Sequence, residues 1–376
     1  MVFAAVAVGG AALQARGALV PSFRTGFGVS EGQLGLLTPA GTIGFVGPVV
    51  LVGVLAGRLD IKLVATLGLA LSGLLLLAIG TAPTFAVLLA LVAVRSAALG
   101  LFRALDRPIL SHLYPEERGR AFTRETMAWA VGATLGPFVV TAALAYADWR
   151  WTYFLLGAAY LPLAVAAWRL ELPADIANER SFAVDDLWAL LGEPVLLAMG
   201  LALVLVGGIE STFFTWYPYY ASGFFPRSTA NLALSVYLAA YVPGRLGFSL
   251  IADRISPPDI LLAASAVLLG LLAVLFGTGG FARVPFFGLT FLAGLFVSGF
   301  FPLLLTWGVG AAPDFTGPIN AFALVAARTG FFLVPAAVGL LAEATSIGAA
   351  MLVQVGLAGT LIALLGGRRL LLAARA

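Results

Sequence analysis

Two short stretches decide the fold: Gly53-Val54-Leu55-Ala56-Gly57-Arg58 in the first half of the chain and Ser249-Leu250-Ile251-Ala252-Asp253-Arg254 in the second. They begin at residues 53 and 249, which is 196 positions apart, and each lies between two apolar segments of helix length. A short charged hairpin repeated at about half the chain length is typical of a transporter built from two parallel repeats. The duplication therefore predicts a membrane protein made of two similar halves.

The composition predicts a lipid environment and excludes several classes of site. Hydrophobic residues make up 61% of the chain and charged residues 10%, against roughly 25% charged in an ordinary soluble domain. There is no Cys, and the single His, His112, leaves too few ligands for a zinc or haem site. The net charge of +3 is too small for a nucleic-acid surface. We expect no cofactor, no metal and no nucleic-acid partner.

Apolar stretches of about 20 residues, separated by turn residues, predict an all-α integral membrane fold with twelve transmembrane helices. The longest connection, residues 171–192, is charged and is predicted to be a cytoplasmic linker. It would separate an N-terminal six-helix bundle at 1–170 from a C-terminal six-helix bundle at 193–376. The twelve spans lie near residues 1–21, 33–56, 63–81, 85–107, 125–147, 152–170, 194–220, 229–252, 260–278, 285–308, 319–342 and 347–367.

The distribution of Lys and Arg predicts the orientation. With the N-terminus inside, the cytoplasmic segments hold eleven Lys and Arg residues and the outer loops hold four. Positive charge collects on the cytoplasmic side of membrane proteins, so we expect a multi-pass protein of the cell membrane with both termini in the cytoplasm. The first span lacks the positive start of a signal peptide, and its removal would place the Arg-rich C-terminus outside, so we interpret it as helix 1.

Several charged residues lie at membrane depth or near its edge. A charge at the bilayer centre costs between about 2.5 and 17 kcal/mol, so these residues are expected to face one another, a water-filled cavity or the membrane interface. They are Arg16, Arg95, Arg103, Arg107, Arg245, Arg328, Asp106, Glu125 and Glu210.

The first hairpin resembles the signature of the major facilitator superfamily, Gly-x-Leu-Ala-Asp-Arg-x-Gly-Arg. Gly57 stands where the family has Asp, and Asp60 stands where it has Gly, whereas the second hairpin keeps the acid as Asp253. The positions that match the signature are Gly53, Leu55, Ala56, Arg58 and Lys62.

Further matches to this family follow in its order and extend the resemblance over nearly the whole chain. The resemblance implies a transporter that works by alternating access. Gly132 and Gly136 also give helix 5 a small face that allows close helix crossing. The matches are Arg95, the stretch Tyr114-Pro115-Glu116-Glu117-Arg118-Gly119-Arg120-Ala121, the motif Gly132-x-x-x-Gly136-Pro137, and Trp149-Arg150-Trp151.

The two hairpins are candidate gates. Asp253 and Arg254 end helix 8, where an acid can reach the positive N-terminus of a neighbouring helix, here helix 11 near Gly317. Such a contact would hold the cytoplasmic side closed, although Arg254 can also be explained by the positive-inside rule alone. In the first hairpin Arg58 lacks its neighbouring acid, and Asp60 is the residue that can compensate.

Helix 7 carries the run Gly207-Gly208-Ile209-Glu210-Ser211-Thr212-Phe213-Phe214-Thr215-Trp216-Tyr217-Pro218-Tyr219-Tyr220. It is similar to the Gly-x-Glu-Ser…Trp…Tyr run of the fucose and glucose proton-symporter branch of the family. Ser298-Gly299-Phe300-Phe301-Pro302 in helix 10 also resembles that branch. This resemblance implies a sugar-like solute and a proton as the coupling ion.

One face of helix 7 is a candidate binding surface. Glu210, Phe214 and Tyr217 are spaced i, i+4, i+7, which places a carboxylate and two aromatic rings on one side of the helix. Burial disfavours the charged carboxylate, so Glu210 is a candidate proton carrier, and Gln14 occupies the equivalent position of the first repeat. The alternative is an aromatic belt at the membrane interface, which would take Trp216, Tyr219 and Tyr220.

Helix 4 carries a second polar group. Arg103 lies three residues before Asp106 and four before Arg107, a spacing that predicts a salt-bridged cluster at the cytoplasmic end of the helix. Arg95 lies deeper and is a candidate for binding an anionic group of the solute or for proton coupling. A structural or snorkelling role for Arg95 is the alternative.

Two further charged residues can be placed from the sequence. Glu125 is expected to cap the start of helix 5, next to Thr123 and Thr126. Arg328, in an apolar stretch of helix 11, can reach the cavity from the second half or bind backbone carbonyls near Pro335.

These patterns together predict a secondary active transporter for a small organic solute, with a proton gradient as the leading candidate for the drive. Uptake of a sugar-like or other polar solute leads, and proton-driven efflux of amphiphilic compounds is the alternative. The expected partners are the solute, the proton and the lipid bilayer, and the protein is expected to be a monomer. A membrane enzyme would need a convergent set of nucleophile, base or metal ligands, and a sensor or scaffold would need a soluble output domain, for which no loop is long enough.

Overall fold

A computed structural model of the protein describes residues 1–55, 59–170, 193–252, 254–278, 280, 282–312 and 315–373. Within these ranges the regular elements are helices. The predicted linker at 171–192 lies outside the described residues, as do the gate candidates Arg58 and Asp253.

The first six helices, which we call the N-terminal half, begin with a bent span. In α1 the segments Val2–Ala18 and Val20–Phe27 meet at an angle of 54°. Pro21 lies in the first turn of the second segment, and because proline has no amide hydrogen it cannot continue the hydrogen-bond ladder of the first. The other five helices are α2 Glu31–Val52, α3 Ile61–Gly80, α4 Phe85–Leu113, α5 Arg118–Tyr146 and α6 Arg150–Arg169.

The next six helices form what we call the C-terminal half. Each is long and apolar enough to cross a membrane, so the described part of the chain holds eleven such helices, or twelve with the bent α1. This confirms the predicted fold class. The six are α7 Pro194–Ala221, α8 Arg227–Ala252, α9 Pro257–Gly277, α10 Arg283–Ala311, α11 Pro318–Ala344 and α12 Ile347–Gly367.

Local sequence fixes where several helices begin. Ser30 caps α2 in a reciprocal arrangement with Gln33, since the Ser30 hydroxyl accepts from the Gln33 amide and the Gln33 side chain accepts from the Ser30 amide. Asp60 caps α3 by accepting from the amide of Leu63 at 2.9 Å. These side chains satisfy amides that have no partner inside the helix.

Helix pairing repeats from one half to the other. The main pairs in the N-terminal half are α1 with α5, α3 with α6 and α2 with α4, and the C-terminal half pairs α7 with α11, α9 with α12 and α8 with α10. Each pair of the second half is therefore the counterpart of a pair in the first. The correspondence supports the division into two six-helix bundles, and we propose the predicted bounds at 1–170 and 193–376 for them.

Glycines allow the two central crossings. A Cβ on Gly136 of α5 would lie 2.5 Å from the carbonyl oxygen of Ala11 in α1, and a Cβ on Gly132 would overlap the carbonyl of Ala7. The α7–α11 crossing is built in the same way, because a Cβ on Gly207 would overlap the backbone of α11. The close helix crossing expected for Gly132 and Gly136 is confirmed.

The outside of the helices is apolar along their length. Large side chains in mid-helix remain exposed, among them Val94 (55%), Leu201 (56%) and Leu340 (64%). Exposure of so much apolar surface to water would be unfavourable. A helix satisfies its own backbone hydrogen bonds, so its apolar surface can face lipid. The chain is therefore a multi-pass membrane protein.

Candidate functional site between the two halves

Hydrogen bonds join the two halves at one end of the molecule. Glu343, at the end of α11, accepts from the hydroxyl of Ser30 and from the amide of Gly32 at the start of α2, both at 3.0 Å. Tyr219, near the end of α7, donates to Glu31 of α2 at 2.7 Å. We call this side, where α1, α7 and α11 end and α2 and α8 begin, the closed end.

Further hydrogen bonds between the halves lie between this network and the middle of the molecule. Thr38 of α2 and Thr215 of α7 share a hydrogen bond of 2.7 Å, and the hydroxyl of Ser235 in α8 donates to the carbonyl of Thr134 in α5 at 2.8 Å. Toward the opposite end, no hydrogen bond or ion pair between the halves is found among the residues that the structure describes. Polar contacts thus hold the halves together at the closed end and near the middle.

Glu210 lies in the middle of α7 and has a defined set of partners on α8. The hydroxyl of Tyr241 donates to its carboxylate at 2.7 Å, and the hydroxyl oxygens of Tyr241 and Tyr237 lie 3.3 Å apart. The guanidinium of Arg245 stacks on the Tyr241 ring at 5.4 Å. Arg245 and Arg328 are both close enough to attract the charged form of Glu210. This carboxylate therefore sits among two hydroxyls and two cations.

Aromatic rings from both halves surround the neighbouring part of α7. The Phe214 ring lies 6.3 Å from Trp129 of α5, 6.3 Å from Tyr237 of α8 and 6.0 Å from Phe331 of α11. Phe214 is therefore at the meeting point of the two halves.

Arg328 reaches across the interface. Its guanidinium lies 4.5 Å from the ring of Phe45 in α2 and 5.4 Å from that of Phe331 in its own helix. A cation held between two aromatic faces is attracted by their quadrupoles. The side chain thus approaches the N-terminal half and Glu210 together, instead of pairing with carbonyls near Pro335.

Tyr217 and Trp216 of α7 are part of the protein interior. Tyr217 is fully buried, stacks on Phe286 of α10 and shares a hydrogen bond with Thr290. Trp216 is also fully buried and donates to the carbonyl of Pro335 at 2.9 Å. The structure thus places Tyr217 inside the C-terminal half, and Trp216 is unavailable for an aromatic belt in contact with lipid.

The two site candidates in the N-terminal half are buried in different places. Gln14 is fully buried in α1, and neither atom of its side-chain amide has a hydrogen-bond partner. Arg95 is 6% exposed, and its Nε and Nη2 atoms have no hydrogen-bond partner either. Its guanidinium meets the hydroxyl of Tyr160 in α6. No hydrogen bond brings Gln14 to Glu210.

The predicted salt-bridged cluster of α4 is confirmed, and it includes one more residue. Arg103 contacts Asp106 at 2.6 Å and Glu125 of α5 at 2.7 Å, and Arg107 lies 3.4 Å from the same Glu125. The expected capping role of Glu125 is wrong, because α5 already begins at Arg118 and the Glu125 side chain is buried against α4. The cluster ties α4 to α5 within one half.

The two gate candidates that the structure describes, Asp60 and Arg254, form no hydrogen bond or ion pair with the opposite half. Asp60 caps α3 through the bond to Leu63, and Arg254 is exposed in the turn after α8. The contacts that close one end of the molecule involve Glu343 and Glu31, at the end opposite to the two hairpins.

A pocket of about 500 Å³ lies at the closed end of the molecule, between α1, α5 and α8. Asp148, Arg227 and Asn231 are among its lining residues. None of the predicted site residues lines it. Among the residues that the structure describes, no group of three or more His, Asp or Glu side chains is arranged to hold a metal ion.

The sequence profile of the Major Facilitator Superfamily matches residues 2–225, which is more than half of the 376-residue chain. The chain belongs to the major facilitator superfamily. The members of this family are transporters. Protein TsgA of Salmonella typhi is 26% identical over 215 residues, which cover 56% of this chain and 53% of that protein. The chain thus matches about half the length of the curated relatives.

Solved structures of family members share the fold over the full length. A bacterial homologue of the human lysosomal transporter Spinster, in an inward-facing and unoccupied conformation, has a TM-score of 0.82 at 12% identity, covering 97% of this chain and 94% of that one. A point mutant of the nucleoside transporter NupG has a TM-score of 0.81 at 14% identity and 97% coverage of both chains. A point mutant of the E. coli fucose:proton symporter FucP has a TM-score of 0.64 at 17% identity, covering 98% of this chain and 97% of that one.

Several residues of this family member's site were not predicted from the sequence. Tyr241 donates to Glu210, and Tyr237 lies beside Tyr241. With Arg245 they are spaced i, i+4, i+8 on α8, which predicts one helical face. Glu343 and Glu31, which close one end, carry no local signal that points to a partner.

Proposed function

We propose that the protein is a secondary active transporter that moves a small polar organic solute by alternating access, with Glu210 as the proton carrier. The observation that carries the proposal is the contact between Glu210 and Tyr241, 2.7 Å long, at the middle of α7 and within reach of two cations. Glu210 is also the only acidic residue in α7 and α8. A carboxylate in such a place is a functional candidate by default.

Protonation of Glu210 would change its neighbours. The charged carboxylate attracts Arg245 and Arg328, and the neutral acid does not, so gain of a proton frees both guanidinium groups. Arg328 also contacts Phe45 across the interface. Loss of the attraction to Glu210 therefore changes the contact that Arg328 makes between the halves. Coupling a proton to alternating access requires such a change.

The contacts at the closed end support one state of the transport cycle. If both termini are cytoplasmic, the closed end faces outward and this structure is the inward-facing state. The opposite state requires that Glu343 leaves Ser30 and that Thr38 leaves Thr215. Each of these bonds joins one helix of each half, so a rocking motion of the halves breaks them together.

The solute class is supported by family members of the same fold. They include a fucose:proton symporter, a nucleoside transporter and a D-xylose-proton symporter. Aromatic rings such as Phe214 and Trp129 suit the apolar faces of sugar rings, and Glu210 with Tyr237 suits their hydroxyls. A polar, hydroxyl-bearing solute is therefore the class to test first.

Transport by proteoliposomes tests the proposal. Purified protein is reconstituted, a pH gradient is imposed, and accumulation of radiolabelled sugars and nucleosides is measured beside exchange at equal pH. We expect concentrative uptake by the wild type. Glu210→Gln should lose accumulation and keep exchange, because the amide mimics the protonated acid but cannot release a proton. Glu117→Gln, an exposed acid in the α4–α5 connection, is the matched control and should behave as the wild type.

Concentrative, pH-dependent uptake by Glu210→Gln equal to that of the wild type would overturn the proton-carrier role. Failure of the wild type to accumulate or exchange any solute of the panel, under a gradient of either direction, would overturn the proposed solute class.

A further inference from the structure

Two arginines inside the N-terminal half, the partly buried Arg16 and the buried Arg95, have no acidic partner. Arg16 of α1 and Arg95 of α4 line one cavity, together with side chains of α3 and α6. The helices α1, α3 and α6 contain no Asp or Glu at all, and the single acid of α4, Asp106, is paired with Arg103. The two guanidinium groups are also close enough to repel each other.

Arg95 presents an unused binding edge. Its Nε and Nη2 atoms, which lie side by side on one edge of the planar group, are both buried and both without a hydrogen-bond partner. Tyr160 lies near enough to interact with this guanidinium, but Nε and Nη2 form no hydrogen bond with it. Two parallel N–H groups on one edge are the fork that binds a carboxylate or phosphate in a bidentate manner.

Arg16 completes the other wall of the cavity. One Nη atom donates to the carbonyl of Leu37 in α2 at 3.0 Å, which holds the side chain across the bundle. Tyr153 of α6, fully surrounded by protein, lies in the same wall. The cavity measures about 10 Å³, which is about the space that one water-sized group needs. As it stands it suits a single-atom ion such as chloride, and a carboxylate would have to widen it.

A water molecule in this cavity would leave the charge uncompensated. Two like charges taken out of water are costly unless a counter-charge accompanies them. An anion satisfies the free fork and offsets the charge of both arginines. We therefore propose that Arg16 and Arg95 form an anion site inside the N-terminal half, which takes either the acidic group of the transported solute or a free inorganic anion such as chloride.

The site is a property of the first half alone. At the 196-residue offset of the two repeats, Arg16 corresponds to Thr212 and Arg95 to Phe291. The cations are therefore not part of a pattern that both repeats need for folding. In its solute form the inference rests on the proposed transport function, and in its inorganic form it does not.

Thermal unfolding of the purified protein in detergent tests the site directly. Chloride, inorganic phosphate and a set of mono- and dicarboxylates are titrated separately from low salt, and Tm is followed. A ligand that binds only the folded state raises Tm in a saturable way, here by a few degrees. Proteoliposome exchange with the same organic anions, and neutral-solute uptake with and without chloride, then separate the two sources.

Three variants locate the effect. Arg95→Lys keeps the charge and removes the fork, and Ala12→Val fills the cavity while both arginines remain. Both should abolish the saturable Tm shift. Arg150→Gln, which removes an exposed cation paired with Asp148, is the control and should keep it. If one of the first two variants does not fold, the other still decides.

The outcomes are distinct from those of the transport assay. A Tm shift that is lost in Arg95→Lys or Ala12→Val supports the site, even if no solute is transported. No saturable shift with any anion, or an equal shift in wild type and all three variants, overturns it, even if proton-driven transport of a neutral solute is found.

Discussion

Glu343 at the end of α11 and Ser30 at the start of α2 are 313 residues apart in the chain and are joined by a hydrogen bond of 3.0 Å. The same carboxylate oxygen accepts from the Gly32 amide, so a negative charge from one half rests on the first turn of a helix of the other. Exposed helix-end amides favour such a charge. The sequence predicts this type of contact for Asp253 and α11 at the cytoplasmic side, and Asp253 lies outside the described residues. The structure shows a contact of this type at the opposite end.

Removal of this latch should open the closed end. Glu343→Ala loses two charge-assisted hydrogen bonds between the halves, each worth about 1.5–3 kcal/mol, so the population open at this end should rise by about tenfold or more. The readout is the labelling rate of Thr42→Cys by an impermeant maleimide. Thr42 is buried one turn below Thr38, and the chain has no other Cys.

Asp148→Ala is the matched control for the latch, because this acid lies at the same end and pairs only with Arg150 of its own half. It should leave the labelling rate unchanged. Equal rates in Glu343→Ala and Asp148→Ala would show that the bond to Ser30 does not set the closed state.

Two tyrosines of the C-terminal half should respond differently to loss of their hydroxyls. Tyr241→Phe leaves Glu210 without its hydroxyl donor, so it should reduce proton-driven uptake strongly. Tyr217→Phe removes a bond to Thr290 in the interior of the half. It should lower stability by about 1 kcal/mol and leave the apparent affinity for solute unchanged. Uptake kinetics and Tm, measured on both variants, separate the two roles.

A rise in the apparent KM of Tyr217→Phe without loss of Tm would place Tyr217 in the binding surface that the spacing on α7 predicts. A Tyr241→Phe protein with normal accumulation would show that Glu210 works without this partner.

The salt-bridged cluster should be important for stability. Glu125 is buried and contacts both Arg103 and Arg107, so Glu125→Gln leaves two cations without their shared counter-charge. Arg103 keeps its contact with Asp106 and Arg107 is half-exposed, so the cost is below the about 3–5 kcal/mol of a fully buried pair. We still expect a fall in Tm in detergent. Glu117→Gln removes an exposed pair with Arg120, which is worth about 0–1 kcal/mol. Similar Tm values for the two variants would contradict the structural role of Glu125.

The α1–α5 crossing should tolerate no side chain at Gly132. A Cβ there would overlap the backbone at Ala7, and overpacking of this kind costs about 1–3 kcal/mol. Gly119→Ala, in the first turn of the same helix, meets no atom within 4 Å and should be neutral or slightly stabilising. Thermal unfolding of both variants is the measurement, and a Gly132→Ala protein as stable as Gly119→Ala would mean that the crossing is wider.

Local and periodic properties of the sequence determined the architecture. The hydrophobic fraction determines that the protein lies in lipid, because a chain with 10% charged residues cannot form a polar surface. Helix length follows from bilayer thickness, and the pair of hairpins marks the repeat. The spacing of Arg103 and Asp106 was enough to predict their ion pair, since residues three apart in a helix are neighbours.

Contacts between distant segments were decided only by the tertiary structure. Glu125 contacts Arg103 because α5 packs on α4 at that height, and Tyr241 contacts Glu210 because α8 lies beside α7. Glu343 and Ser30 form their hydrogen bond only because the two halves pack against each other at one end. The sequence shows which charged residues lie within the membrane spans and therefore need a partner, because an unpaired charge in lipid is costly. Which partner each one finds depends on the packing of whole helices and, between the halves, on how the two bundles are placed against each other.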